Sequence, residues 1–491
     1  METNKKAGVL CPISALPSRF GIGDFGEYSR RFAKIVADNG YKIWQILPLN
    51  PLGYGHSPYQ PFSSFALEEL YVDLDDLFEK GLIEKAPSFH ELEEKVLYED
   101  IRLFKMPYLK QAFKAETEKG TSILNAFIET HSWVRDFALF MMNKRRNDMR
   151  SWDEWADRER NMIHSNCELT KEEQEGFDFE VWLQKTLYEQ WDKLHSYCRS
   201  LGLKIVGDVP FYVGFDSADV WGNQKSFLLD PETKKPTFIA GVPPDYFSVT
   251  GQRWGNPIYD WDALQKDNFS FIINRLRLNC ELYDIIRLDH FRAFDTFWKI
   301  PAACPTAIEG EWILAPGYAF FDTLLKLYPD MEIIAEDLGD LRPEVLTLRD
   351  HYSFPGMNVV EFTFHEAEIA HKEGFDKENM VAYLGTHDND TMKGYFDKLP
   401  VSEQDAWREA LSKKGLLQKD IVSSLINYTF ELPAKYAIIS IQDLLELGSE
   451  GRINVPGIID EVNWTFRLTS LDNAANGISK FAPILKKTRR A

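Results

Sequence analysis

The sequence predicts an α/β protein built on a parallel (β/α)8 TIM barrel carrying large inserted subdomains, one of them mostly helical. Three observations carry this. Eight short apolar runs alternate with segments of helical periodicity, the order that builds a parallel sheet with helices outside it. The clearest runs end in acidic residues: Asp208 in LKIVGD, Asp289 in DIIRLDHFR, Glu336 in MEIIAEDLG, and Asp388 a few residues beyond VAYL. Strand C-termini converge on one face of a barrel, so four acids at strand ends surround one cavity. Finally, 491 residues exceed what a simple domain needs and suit a barrel with insertions.

The elements follow in order. The first strand is 8–10, before the Pro/Gly-rich PISALPSRFGIGDFG and a helix over about 27–39. The second, 42–47, opens into PLNPLGYGHSPYQPFSSFA, the kind of long loop at a strand end where sites sit. Residues 1–66 are thus the start of the barrel. Residues 67–178 change character: ELEEKVLYEDIRLFKMPYLKQAF and FIETHSWVRDFALFMMNK have helical period, and the segment reads as an inserted, mainly helical subdomain. A further helix with one stripe of Leu183, Leu187, Trp191 and Leu194 returns the chain to the barrel, so 179–210 is the region of the third strand, 204–208. Residues 211–282 read as a second, loop-rich insertion. Pro243, Pro244 and the glycines exclude a long helix from FIAGVPPDYFSVTGQRWGNPIYDW, residues 238–261. The remainder, 283–491, holds strands four to eight at 284–288, 332–336, 358–362, 381–384 and 437–441, with a small insertion at about 300–320.

Composition narrows the function. A net charge of −20 argues against nucleic acid and anionic membranes and towards a neutral or cationic partner. The basic tail, 486–490, is short and reads as a solvated end. Five scattered cysteines, odd in number and without a CxxC, point to a reducing cytoplasm. METNKKAGVL lacks the apolar core of a signal peptide, and no apolar run reaches the roughly 18 residues of a membrane span. The sequence carries no signal of oligomeric state. Aromatics make up 14%. Most must fill the core, but those in Gly/Pro-rich loops match sugar rings, whose C–H faces pack on aromatics while their hydroxyls suit carboxylates and amides.

Arg287 and Asp289 alternate along one strand and share a face, about 7 Å apart by strand rise. An arginine beside a carboxylate keeps it ionised, and an ionised, oriented carboxylate is what a covalent nucleophile needs. Glycosidic bond chemistry requires such a nucleophile and a proton donor about 5–5.5 Å away in a retaining enzyme. Asp289 and Glu336, on strands about 4.8 Å apart, suit that gap. Asp388 and His387, across the mouth, could hold the sugar and steady an oxocarbenium-like transition state. The competing reading is a Mg²⁺ or Mn²⁺ site on Asp208, Asp289, Glu336 and Asp388. Arg287 competes with a cation there, and no phosphate loop of recognised spacing accompanies it. Ion pairing at the barrel rim explains any one of the acids, but four together at strand ends call for more.

These residues resemble the 4-α-glucanotransferases, the amylomaltase or disproportionating-enzyme group of glycoside hydrolase family 77 in the α-amylase clan. The resemblance runs almost the whole length: GVLCPISALPSRFGIGDFG, SPYQPFSSFA, GDVPFYV, AGVPPDYFSVTGQRWGNPIYDW, IIRLDHFR, IIAEDLG, GTHDNDT and NVPGIIDEVNWTFR. It implies a barrel without a C-terminal β-domain, and a cytoplasmic transferase of carbohydrate metabolism. It also implies α-1,4-glucan donors and acceptors (maltooligosaccharides, amylose, starch) and no cofactor or metal. By resemblance Asp289 is the nucleophile, Glu336 the general acid/base and Asp388 the transition-state stabiliser. Arg287 would orient the nucleophile, and Asp208 and His387 would support the sugar at the cleavage point. Ser57 and Tyr59 would line the donor pocket, and Asn463 would touch the sugar. The 245–254 loop would cover the cleft, bringing Asp245, Tyr246, Phe247 and Trp254 near the glucan. Departures are modest: Ile458 stands where the family often has Thr, and Ala315 where Gly is expected. Two alternatives remain, an α-glucan hydrolase of the same clan and a non-catalytic glucan-binding barrel. The intact acid trio argues against the second.

Overall fold

The computed structural model describes residues 5–88, 94–118, 120–165, 167–244, 248–458 and 462–491. Its centre is a ring of eight parallel strands: β1 (Lys6–Leu10), β2 (Ile43–Gln45), β3 (Lys204–Val209), β4 (Ile285–Leu288), β5 (Ile333–Ala335), β6 (Gly356–Val359), β7 (Met380–Tyr383) and β8 (Tyr436–Ser440). The hydrogen-bonded order is β6-β7-β8-β1-β2-β3-β4-β5. The ring nearly closes where the Ala335 N–H donates to the Pro355 carbonyl, 2.9 Å away.

Side chains alternate across this wall, as strand geometry requires. Leu10, Ile43, Val206, Ile285, Ile334, Val381 and Ile438 form one buried cluster, filling the barrel. Their neighbours Val9, Trp44, Ile205, Ile286, Ile333, Ala382 and Ile439 belong to a second cluster that packs against the helices. Both faces are therefore buried, which is why the strands read as unbroken apolar runs. One backbone position depends on having no side chain. A Cβ on Gly207 would lie 2.1 Å from the Tyr283 ring, so β3 reaches its place, and Asp208 its inward aim, because residue 207 is glycine.

Helices α1 (Glu27–Asp38), α2 (Tyr98–Thr117), α3 (Ser122–Thr130), α4 (Trp133–Arg146) and α5 (Lys171–Ser200) precede β3. The stripe expected on the last of these is buried: Leu183, Leu187, Trp191 and Leu194 all face the core. α5 begins earlier than its apolar stripe suggests, because Thr170 and Glu173 form a reciprocal capping box at its start. No helix among the described residues is long and apolar enough to cross a membrane.

Three expectations need correction. The sixth strand ends at Val359 rather than at 362, and Val360–Phe364 is helical. There the Glu361 N–H turns to the Leu384 carbonyl, and an apolar run serves a buried helix as well as a strand. Helix α6 (Ser270–Leu282), read with the loop-rich insertion, packs on β3 and β4 as the crossover helix between them. The insertion at about 300–320 is not separate. Its strands Thr296–Pro301 and Glu311–Leu314 join Phe238–Val242 and Gln252–Pro257 in one four-stranded antiparallel sheet.

Candidate active site

Parallel register sets Asp208 on β3 beside Arg287 on β4. The Arg287 Nη1 donates to both Asp208 oxygens, at 2.7 and 2.7 Å, and to Asp289 Oδ1 at 2.9 Å. The Tyr59 hydroxyl donates to Asp208 Oδ2 at 2.8 Å. A buried ion pair is tolerable when further hydrogen bonds support it, and here Asp208 gains the Tyr59 hydroxyl. The Arg287 and Asp208 side chains are only 4% and 0% exposed, whereas Asp289 is 28% open to the cleft. The Arg287–Asp208 pair is sealed and Asp289 is not.

Directly after β4 the chain turns through His290 in the left-handed region, φ 52°. The turn aims the His290 N–H at Glu336 Oε2, 2.7 Å away, while the Leu338 N–H donates to Oε1 at 3.0 Å. Backbone groups thus fix both oxygens of the acid on the neighbouring strand end. Burial pushes the Glu336 carboxyl up to about 7, with the Asp289 charge adding to it and Arg287 and the two N–H groups opposing it. Burial likewise lifts Asp289 to about 6, helped by Asp208 and Asp388 and opposed by Arg287. The two titrate as an interacting pair, and the proton leaves first from the carboxyl that Arg287 touches. Between those values Asp289 is anionic and Glu336 still carries its proton. The expected kcat/KM profile is therefore a narrow bell, rising near pH 6 as Asp289 ionises and falling near pH 7 as Glu336 loses its proton. Initial rates across pH check this; a flat profile from about pH 5 to 9 would contradict it.

Asp388 lies in the turn after β7. His387 Nε2 is 3.3 Å from its Oδ2, Asn454 Nδ2 donates to its Oδ1 at 2.6 Å, and Arg452 Nη2 donates to its backbone carbonyl at 2.8 Å. Burial raises this carboxyl's pKa, but His387 and Asn454 outweigh it and hold the group down at about 2. Asp388 thus remains ionised where Glu336 does not. The loop is braced from behind: Thr386 donates its N–H and its hydroxyl to Asn389 Oδ1, both at 2.8 Å, and Asn389 Nδ2 donates to Glu361 Oε1 at 3.1 Å. The Tyr59 ring stacks on His387 at 5.0 Å and 12°, and Trp464 lies 5.6 Å from Tyr59.

The structure gathers Asp208, Arg287, Asp289, Glu336, His387, Asp388 and Tyr59 at one mouth. Ser57 supports that group, its Oγ accepting from the Tyr59 N–H at 3.2 Å. Trp254 sets its ring edge-on to His290, 4.9 Å between centroids at 84°, against the residue whose amide holds Glu336. Asp245, Tyr246 and Phe247 lie outside the described residues. Two residues expected to touch the sugar have protein partners of their own. Both oxygens of Asp208 accept from Arg287, and Oδ2 also from the Tyr59 hydroxyl. Asn463 bonds Val455 through its N–H and carbonyl, at 3.0 and 3.3 Å, and the Ile458 carbonyl at 2.8 Å, so its amide ties its own loop. The asparagine of that motif that reaches the site is Asn454, missed with Arg452. The presence of two asparagines, Asn454 and Asn463, at the two ends of NVPGIIDEVN gave the only clue.

The guanidinium of Arg287 fills the space between Asp208 and Asp289 where a bridging cation would sit. No group of three His, Cys, Asp or Glu among the described residues is arranged to hold a metal. What remains is one oriented anionic carboxylate, one protonated acid beside it, and one firmly ionised carboxylate opposite. That set suits covalent displacement at an acetal carbon.

The chain has close relatives among known proteins. The profile of the Glyco_hydro_77 family, described as 4-alpha-glucanotransferase, matches residues 11–472. A 4-alpha-glucanotransferase of Thermus thermophilus is 38% identical over 487 residues, covering 95% of each chain. One from Aquifex aeolicus is 39% identical over 466 residues, covering 94% of this chain and 95% of its own. The amylomaltase from Streptococcus agalactiae, solved in complex with acarbose, superposes with a TM-score of 0.92 at 33% identity, over 99% of this chain and 100% of its own.

Proposed function

Because this chain belongs to the Glyco_hydro_77 family of 4-alpha-glucanotransferases, we propose that its cleft cuts α-1,4-glucans by a retaining double displacement through Asp289 and Glu336. The protein is an enzyme with 4-alpha-glucanotransferase activity. Asp289 Oδ attacks the anomeric carbon as Glu336 gives its proton to the departing glycosidic oxygen. The C–O bond breaks, a glycosyl ester forms on Asp289, and Glu336 is left as a carboxylate held by two backbone N–H groups. The 4-hydroxyl of an acceptor glucan or glucose then enters, Glu336 takes its proton, and the ester bond to Asp289 breaks. Two inversions leave the linkage α. Asp388, ionised throughout, faces the positive charge that develops on the sugar ring. No metal or organic cofactor takes part in these steps.

The observation that carries this reading is the division between neighbouring strand ends. Arg287 opposes the burial that lifts Asp289, so Asp289 ionises before Glu336, on which burial favours the proton. Maltooligosaccharides, amylose and starch fit as donors, and the acceptor is a second glucan. The five free cysteines fit a reducing cytoplasm. Incubating the pure protein with maltotriose in the presence of EDTA tests the reading. A ladder of longer maltooligosaccharides plus glucose is expected, and maltose with glucose alone would mean hydrolysis.

Transfer requires the glycosyl ester to outlive its exposure to water. Trp254 stands beside His290, whose N–H holds Glu336, where its indole would exclude water and hold an acceptor. Trp254→Ala is expected to lower the ratio of transfer to hydrolysis several-fold with maltotriose. An unchanged ratio would remove Trp254 from that role.

A further inference from the structure

Glu361 bonds to none of the reacting groups, yet its hydrogen bonds lead to Asp388. β6 ends at Val359 and the chain turns into the short helix Val360–Phe364, where the Glu361 N–H donates to the Leu384 carbonyl at 3.0 Å. The residue, 5% exposed, is thereby pinned just past the end of β7, behind the turn that carries Asp388. From there the direction of each bond is fixed. The Thr386 N–H can only donate, so Asn389 must face it with Oδ1, which also accepts from the Thr386 hydroxyl, both at 2.8 Å. With its hydrogen so placed, that hydroxyl presents a lone pair to the Asp388 N–H, 3.4 Å away. Asn389 then has only Nδ2 for Glu361, and Oε1 has to accept it, at 3.1 Å.

The surroundings favour a neutral group at this position. Glu361 Oε2 is buried beside Gly385 and has no hydrogen-bond partner among the described residues. Two acids face it: Asp443, which already accepts from the Met392 N–H and the Ser440 hydroxyl, and Asp390, which accepts from Lys398 and Ser449. Tyr395 stands nearby on the helix Met392–Lys398. Arg452 opposes these charges, but its Nε and Nη2 donate to the Asn454 and Asp388 carbonyls. A buried carboxylate with no cation bonded to it gives up its charge by holding a proton. Burial lifts this carboxyl to about 8 against the Asn389 hydrogen bond, with Asp443 and Asp390 adding to the rise and Arg452 opposing it.

We propose that Glu361 is a positioning residue for the glucan chemistry: as a neutral acid it holds Asn389, and through Thr386 it sets where Asp388 meets the sugar. This role rests on the double displacement proposed above. An ionised Glu361 would place a bare oxygen anion beside Asp390 and Asp443 and draw water in behind the turn. A shift of about 1 Å in Asp388 is enough to cost on the order of 10²-fold in rate.

The Glu336→Gln protein with α-maltotriosyl fluoride isolates the step that Asp388 serves, free of the Glu336 titration. The pre-steady-state rate of fluoride release is read at saturation, together with the half-saturating concentration and the thermal unfolding midpoint. Adding Glu361→Leu, which removes the acceptor, is expected to lower the saturating rate at least about tenfold at an unchanged half-saturating concentration. Adding Glu361→Gln instead, which keeps a neutral acceptor, is expected to retain most of the rate. The release rate of Glu336→Gln alone should fall above about pH 8 as Glu361 ionises, and the addition of Glu361→Gln should abolish that fall. Equal losses from the two substitutions, a Glu361→Leu protein that loses stability but keeps its rate, or an alkaline fall that survives Glu361→Gln overturns the proposal while leaving the cleft chemistry standing. Should Glu361→Leu fail to fold, the pH profiles of the other two proteins decide alone. Absence of fluoride release from Glu336→Gln would overturn the double displacement and this role with it.

Discussion

Asp289→Asn is expected to lower transfer from maltotriose by about 10⁴-fold or more while the fold is retained. The substitution keeps the shape of the side chain, and the Arg287 link to Asp208, which is the sealed part of the anchor, stays in place. What it removes is the anion that forms the bond to the sugar. Asp388 cannot replace it, because His387 and Asn454 hold both of its oxygens on the far side of the cleft. Initial rates together with thermal unfolding separate the chemical loss from a folding defect. Retention of half the rate would remove Asp289 from its role.

The second large effect belongs to Glu336→Gln. Positioned proton transfer contributes about 10²–10⁴-fold, and glycosidic donors should lose an amount of that order. An activated donor such as α-maltotriosyl fluoride needs no proton on its leaving group, so its first step should be largely spared. Return of the intermediate to acceptor should remain slow, because no base removes the acceptor's proton. The site adds a structural consequence. Both oxygens of Glu336 accept from backbone N–H groups, so the NH₂ of a glutamine faces the N–H of either His290 or Leu338. One bond is lost and an N–H is left unpaired, at a cost of about 1–3 kcal/mol. Equal losses with maltotriose and with the fluoride would mean that Glu336 is not the proton donor.

The barrel was legible because its signals are local. Runs such as Ile285–Leu288 are buried on both faces, so they stand out without knowledge of their neighbours, and in four of them an acid follows at the same end. Features that depend on distant partners were not legible. Asn454 reaches Asp388 across 66 residues, and nothing in NVPGIIDEVNWTFR says which asparagine turns inward. Asp208 and Asp289 look alike as strand-end acids. Only the register of β3 against β4, with Tyr59 arriving from another loop, makes one an anchor and leaves the other open. The pairing of Phe238–Val242 with Thr296–Pro301 escaped for the same reason. The left-handed turn at His290, which aims an amide at Glu336, has no glycine to announce it.

The covalent step is the core of the mechanism. The most direct measurement is to mix the Glu336→Gln protein with α-maltotriosyl fluoride, quench in acid, digest, and locate any added sugar by mass spectrometry. The mechanism predicts a maltotriosyl ester on the peptide that carries Asp289. An adduct on the peptide of Asp208 or Asp388 instead, or fluoride release with no adduct and an inverted product, would contradict it.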